Sequence, residues 1–109
     1  MNKSRVVLLG LLLLLLMACQ PVPIRIGAFL SLTGSTAAYG ISAANAIKLA
    51  TEEANADGKI KARRIELEIE DDHSNTQDVP GIVDHLIKEH KVDALLAEPV
   101  STRAMIAAG

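Results

Sequence analysis

Cysteine is nearly absent from this sequence of 109 residues. Cys19 stands alone, which excludes a disulfide framework and a cysteine-based zinc site. Positive charge is short as well. Past residue 18, nine Lys and Arg face thirteen Asp and Glu, a balance of about −4. A nucleic-acid binder would show a basic face, and so would a protein held to anionic membrane surfaces. Aromatic residues make up only 2% although half of all residues are hydrophobic, an imbalance that comes from the first eighteen positions. No apolar run reaches the roughly 20 residues of a transmembrane helix. The longest, Val6 to Ala18, holds thirteen and is followed by Gln20-Pro21. Gly27, Gly34 and Gly40 do not form the dinucleotide pattern G-x-G-x-x-G, and no Gly-Lys-Ser/Thr follows the first apolar segment. Ser101 is not in G-x-S-x-G, so a hydrolase elbow is not indicated.

What is present begins with a leader. Lys3 and Arg5 precede the apolar run, which includes six consecutive leucines. Positive charge, then a short apolar stretch, then small residues is the secretory pattern. The run closes on Leu16-Met17-Ala18-Cys19. This resembles the bacterial lipobox, in which the cysteine after a small residue is lipidated and becomes the new N-terminus. More than one acyl chain makes such an anchor stable. The alternative is an ordinary signal peptide with an incidental cysteine. The organisation expected is a lipoprotein signal peptide over 1–18, a lipidated cysteine and stiff proline-containing tether over 19–23, and an α/β unit over 24–109. Ninety-one residues follow the leader, enough for one small domain at most.

Ile24 to Leu30 reads as a short buried strand. A helix is expected from about Ala37 to Ala56, with Ala43, Ile47, Ala50 and Ala54 on one face and Asn45, Lys48, Glu52 and Asn55 on another. Gly58 ends it as a left-handed cap. Arg64 to Asp71 alternates apolar and acidic residues, the pattern of a strand at a sheet edge. A second helix carries Val79, Ile82, Val83, Leu86, Ile87 and His90 on one stripe, with Pro80 in its first turn. Ser74, Asn75 and Asp78 all qualify as its cap. Val92 to Ala97 is a third strand, and a helix starts at about Thr102. Strand–helix alternation predicts a doubly wound parallel α/β sheet with right-handed crossovers. Three strands are fewer than the usual five or six, approximately, so the segment reads as the front of a larger, incomplete domain.

Asp71-Asp72-His73 suits either a metal or acid–base cluster or a solvated acidic turn that caps the next helix. No other ligand is spaced to complete a metal site, which favours the turn. His85 falls on the polar face of the second helix. His90, at that helix's end, suits an interaction with the helix dipole or cover over the core better than metal ligation. Ser31, Thr33, Ser35 and Thr36 follow the first strand, and Ser101 and Thr102 follow the third. Ligands of open parallel sheets bind beyond the strands' carboxyl ends, where strand order reverses. With order 2-1-3 the loops after strands one and three diverge there. Ser101, just before a helix start, could meet an anion such as a carboxylate. Equally, these hydroxyls could do no more than cap helices.

Ile24-Arg25-Ile26-Gly27, Leu32-Thr33-Gly34, Ala38-Tyr39-Gly40, Ala46-Ile47-Lys48-Leu49-Ala50 and Glu53-Ala54-Asn55 together resemble one family. So do Ile65-Glu66-Leu67, Glu70-Asp71-Asp72 and Val92-Asp93-Ala94-Leu95. In this order and spacing, from Ile24 to about Ala108, they resemble the start of bacterial leucine/isoleucine/valine-binding proteins. These are the type I periplasmic solute receptors of branched-chain amino-acid ABC transporters. The resemblance implies two α/β lobes closing over the ligand, of which this segment supplies the front part (β-α-β-α-β) of lobe one. It implies ligand contacts from Tyr39, Ser101 and Thr102, with the Ser101 hydroxyl and nearby backbone holding the ligand's α-carboxylate. The loop reads Ala97-Glu98-Pro99-Val100-Ser101, so Glu98 sets a negative charge near that carboxylate. No cofactor, metal, catalysis or nucleic acid is implied. The implied partners are a small amino acid or amide, a transporter permease and a membrane reached through the lipid anchor, with a monomeric full-length protein. The same fold could instead serve a lipid-anchored sensor or envelope regulatory lipoprotein. An α/β enzyme using Asp71, Asp72 or Ser101 is the weakest reading, since no base and nucleophile pair assembles.

Overall fold

The computed structural model describes residues 2, 5, 7, 8, 10, 21–58, 60 and 63–109. Cys19 and most of the apolar leader lie outside the described residues. Three strands, β1 (Ile24–Leu30), β2 (Ile65–Asp71) and β3 (Ala94–Leu96), alternate with three helices, α1 (Ala37–Asp57), α2 (Val79–Lys88) and α3 (Ser101–Ala107). The sheet is parallel with order β2-β1-β3, the doubly wound order expected from the sequence.

Central strand β1 is covered on both faces from Gly27 onward, which explains why its run is apolar after Arg25. Ala28 and Leu30 pack with Ala44 of α1, supported by Ala43, Ile47 and Ile69. Phe29 packs with Val79 and Leu86 of α2 on the opposite face, supported by Ile82, Val83, Val92 and Leu95. The acidic alternation of β2 fits its place at the end of the sheet, with Glu66 and Glu68 exposed.

Gly58 caps α1 in the left-handed region (φ 61°). Pro80 lies in the first turn of α2, and Asp78 is the N-cap residue, without a side-chain capping bond. Three expectations need correction. Ala50 of α1 is exposed, whereas Asn55 is half-buried. Its amide accepts from Ile65 N (2.8 Å) and donates to Ile65 O (3.0 Å), acting as a short strand partner where β2 begins. Ile87 is exposed although it was expected on the buried stripe of α2. Strand β3 is half as long as the apolar run implied. Before it, Asp93 Oδ2 accepts from Arg25 N at 2.9 Å. After it, Glu98 Oε2 accepts from Ser31 N at 2.8 Å. At both ends a side-chain carboxylate takes the place of the backbone carbonyl that would continue the ladder.

Candidate functional site

The loops that follow the three strands meet at the carboxyl end of the sheet, and their meeting point is polar and buried. Ser31, Asp72, Glu98 and Arg103 are all buried there. The Arg103 guanidinium enters from α3. Its Nε donates to Glu98 Oε1 at 3.1 Å, and Nη2 makes a close contact with the same oxygen. Nε also lies 3.3 Å from Asp72 Oδ2. A directional chain of hydrogen bonds runs from the cation to the second carboxylate. Arg103 Nη2 donates to Thr36 Oγ1 (2.7 Å), Thr36 Oγ1 to Ser31 Oγ (2.9 Å), and Ser31 Oγ to Asp72 Oδ1 (2.7 Å). Arg103 Nη1 reaches the Ser74 carbonyl at 3.3 Å. One side chain thus binds all three loops.

Burial alone would raise the Glu98 pKa. The hydrogen bonds from Arg103 and Ser31, together with the positive charge of Arg103, outweigh it and hold the carboxyl below its ordinary value. The charge that Glu98 brings to this loop is therefore turned inward and neutralised by Arg103.

Asp71 works one step further out. Its carboxylate accepts from Leu32 N (2.9 Å), Thr33 N (3.2 Å), Thr33 Oγ1 (2.7 Å) and His73 N (2.8 Å). Desolvation pushes its pKa up, but these donors prevail and lower it. The Asp71-Asp72-His73 segment is therefore not a solvated turn capping α2. Asp71 organises the loop after β1, and Asp72 is wholly buried against Ser31. His73 and Ser74 adopt left-handed backbone (φ 54° and 58°), which lets the chain turn back over Gly34. A Cβ on Gly34 would fall 2.6 Å from the His73 carbonyl oxygen. Where α1 crosses the end of β1 the approach is closer still: a Cβ on Gly40 would fall 1.9 Å from Ser31 O.

The three ligand-binding residues expected from the sequence lie at this same end of the sheet. Tyr39 sits in the first turn of α1 and is 69% exposed. Ser101 and Thr102 open α3 and are exposed. The N-cap of α3 is Val100, with no side-chain cap, and Thr36 at the N-cap of α1 makes no capping bond either. The hydroxyls of Thr36 and Ser31 instead serve the buried network. Arg103, which organises that network, did not emerge from sequence reasoning. Its one sequence signal is a lone charge in the otherwise small and apolar segment after Thr102.

A sequence profile described as "Periplasmic binding protein" matches residues 23–108. A comparison with curated protein sequences finds no match. Among solved structures, the substrate-binding protein LivJ of a branched-chain amino acid transporter from Streptococcus pneumoniae, in complex with isoleucine, is 32% identical. That match has a TM-score of 0.75 and covers 78% of this chain and 24% of the other. A leucine-binding protein, LivK, from Thermotoga maritima is 25% identical with a TM-score of 0.71, covering 78% and 23%. An ABC-transporter solute-binding protein from R. palustris, in complex with benzoate, is 25% identical with a TM-score of 0.68, also covering 78% and 23%. The chain spans about a quarter of the length of each.

Proposed function

The chain belongs to the periplasmic binding protein family, and on that premise we propose that the protein is an extracytoplasmic receptor delivering a small amino acid or related solute to an ABC transporter. The solute class favoured is a branched-chain amino acid or a related amide. The observation that carries this reading is the division of labour at the carboxyl end of the sheet. Glu98, Asp72 and Arg103 are buried and engaged with one another, while Ser101, Thr102 and Tyr39 remain exposed. The Glu98 carboxylate is thus paired with Arg103 inside the loop rather than turned toward a solute, and the Ser101 hydroxyl is available to donate to a ligand carboxylate. Tyr39 would contribute packing against the solute's side chain. Isoleucine and benzoate, held by two of the similar structures, have the carboxylate in common. The remaining contacts would come from the parts of the fold that the similar structures have and this chain does not span.

Calorimetric titration of the full-length protein with leucine, isoleucine, valine, a neutral amide and benzoate tests the solute class. Saturable binding of at least one branched-chain amino acid is expected; binding of none would refute the proposal.

Anchoring through Cys19 is part of the same proposal, supported by the charged leader and the Leu16-Met17-Ala18-Cys19 sequence. Cys19→Ala should leave unprocessed precursor or move the protein out of the membrane fraction. Processing and fractionation identical to wild type would contradict the anchor.

A further inference from the structure

A second cluster of chemistry-bearing side chains lies where α2 packs beside β2, on the sheet face that carries Phe29. Glu70 of β2, His85 of α2 and His90, just past the end of α2, present one ligand atom each within 4.8 Å of one another. His85 Nδ1 is 2.7 Å from Glu70 Oε1. His90 Nε2 is 3.9 Å from the same oxygen. The two imidazole rings meet edge to face with centroids 4.8 Å apart. On the far side of the His90 ring, Nδ1 stands 3.8 Å from Glu68 Oε2.

We propose that Glu70, His85 and His90 form a binding site for a divalent cation of the zinc class. Three protein ligands bind the ion, and the fourth position is open to water. Bonds to zinc from imidazole nitrogen and carboxylate oxygen are each about 2.0–2.2 Å, which sets tetrahedral ligand atoms about 3.3 Å apart. The Glu70 oxygen lies 2.7 and 3.9 Å from the two imidazole nitrogens, and all three ligand atoms fall within 4.8 Å of one another, so side-chain rotations that draw the imidazoles together close the site. Two imidazoles select against calcium and magnesium, which prefer all-oxygen ligand sets. Glu68 stands where an outer carboxylate would fix the tautomer and orientation of a ligating histidine. The ligands come from elements held in place by the core: Leu86 of α2 packs with Phe29 of β1, to which β2 is paired in register. All three are reachable from solvent, with side chains 22% (Glu70), 50% (His85) and 34% (His90) exposed. Bound there, the cation ties α2 to the end strand of the sheet.

Without metal, His85 and Glu70 form a hydrogen-bonded pair that raises the His85 pKa, so the test is run at mildly alkaline pH. Tag-free full-length protein is titrated with zinc chloride by calorimetry, and with cobalt chloride while following visible absorption. One equivalent of zinc, intense visible bands typical of tetrahedral cobalt and a rise in melting temperature with zinc are expected. His85→Ala and His90→Ala should each weaken binding by at least about tenfold, since loss of even an outer partner costs that much. His73→Ala serves as the control, because His73 lies beside Asp71 and Asp78 in a different loop. The proposal is overturned if zinc fails to bind stoichiometrically. It is overturned equally if folded His85→Ala and His90→Ala bind zinc as tightly as wild type, or if His73→Ala is the variant that loses it.

Discussion

Among the described residues, Arg103 is the cation that pairs with two buried carboxylates, Glu98 and Asp72. Removing the cation from such an arrangement leaves buried charge uncompensated and costs about 3–5 kcal/mol. Arg103→Met should therefore lower the stability of the full-length protein by about that amount, measured by chemical denaturation. A change within the range of ordinary surface substitutions would show that the pairing contributes little. The network also sets an acid limit. A carboxyl whose folded pKa lies below its unfolded value stabilises the fold above the ordinary value of 4.5 for Glu98. That contribution disappears as pH falls through the lower folded value. Asp71, lowered in the same sense from 3.8, adds to the loss over the same acidic range. Glu98→Gln should accordingly show a shallower decline of stability with falling pH than wild type. An unchanged slope would exclude Glu98 as a source of the acid sensitivity.

Helix α1 rests directly on the end of β1, and α2 has space around its single glycine. The two predict opposite outcomes for the same substitution. Gly40→Ala would force a methyl group into the Ser31 carbonyl, so backbone must move; overpacking of this kind costs about 1–3 kcal/mol. Gly81→Ala meets nothing within 4 Å in the helix and should stabilise by about 0.4–1 kcal/mol through the unfolded chain's lost freedom. Melting temperatures of the two variants should move in opposite directions; a stable Gly40→Ala would mean that α1 does not press on β1 as described. Element type and order were legible from hydrophobic periodicity, because β1 is covered on both faces from Gly27 onward, β2 on one, and α2 carries a clear apolar stripe. The length of β3 was not. Apolar residues continue past its ends, and it is Asp93 and Glu98, bonding back to β1, that break the ladder. The polar centre was equally hidden. Ser31 and Arg103 are 72 positions apart, and nothing in a run of small residues shows that its one arginine folds inward. The Glu70, His85 and His90 cluster escaped for the same reason, since pattern alone does not bring a strand residue beside one imidazole of a helix and another just past its end.

At the scale of the whole molecule, the chain spans about a quarter of each similar structure, and its apolar surface around α3 and β3 is substantial. Leu96, Met105 and Ile106 are exposed, and β3 pairs on one side only among the described residues. Residues 20–109 expressed alone should therefore aggregate or melt without cooperativity. A soluble monomer with a sharp unfolding transition would contradict this. On the proposed receptor role, the carboxylate of the solute should meet the Ser101 hydroxyl. A hydrogen bond to a charged group contributes about 1.5–3 kcal/mol, or roughly ten- to a hundredfold in affinity. The most direct measurement is a calorimetric comparison of leucine with isoamylamine, which keeps the apolar chain and amine but lacks the carboxylate, on wild type and Ser101→Ala. The expected result is saturable leucine binding by wild type, a loss of about ten- to a hundredfold in Ser101→Ala, and no measurable binding of isoamylamine by either. Equal affinity of wild type for leucine and isoamylamine, or full leucine affinity in a folded Ser101→Ala variant, would contradict a carboxylate receptor built on this loop.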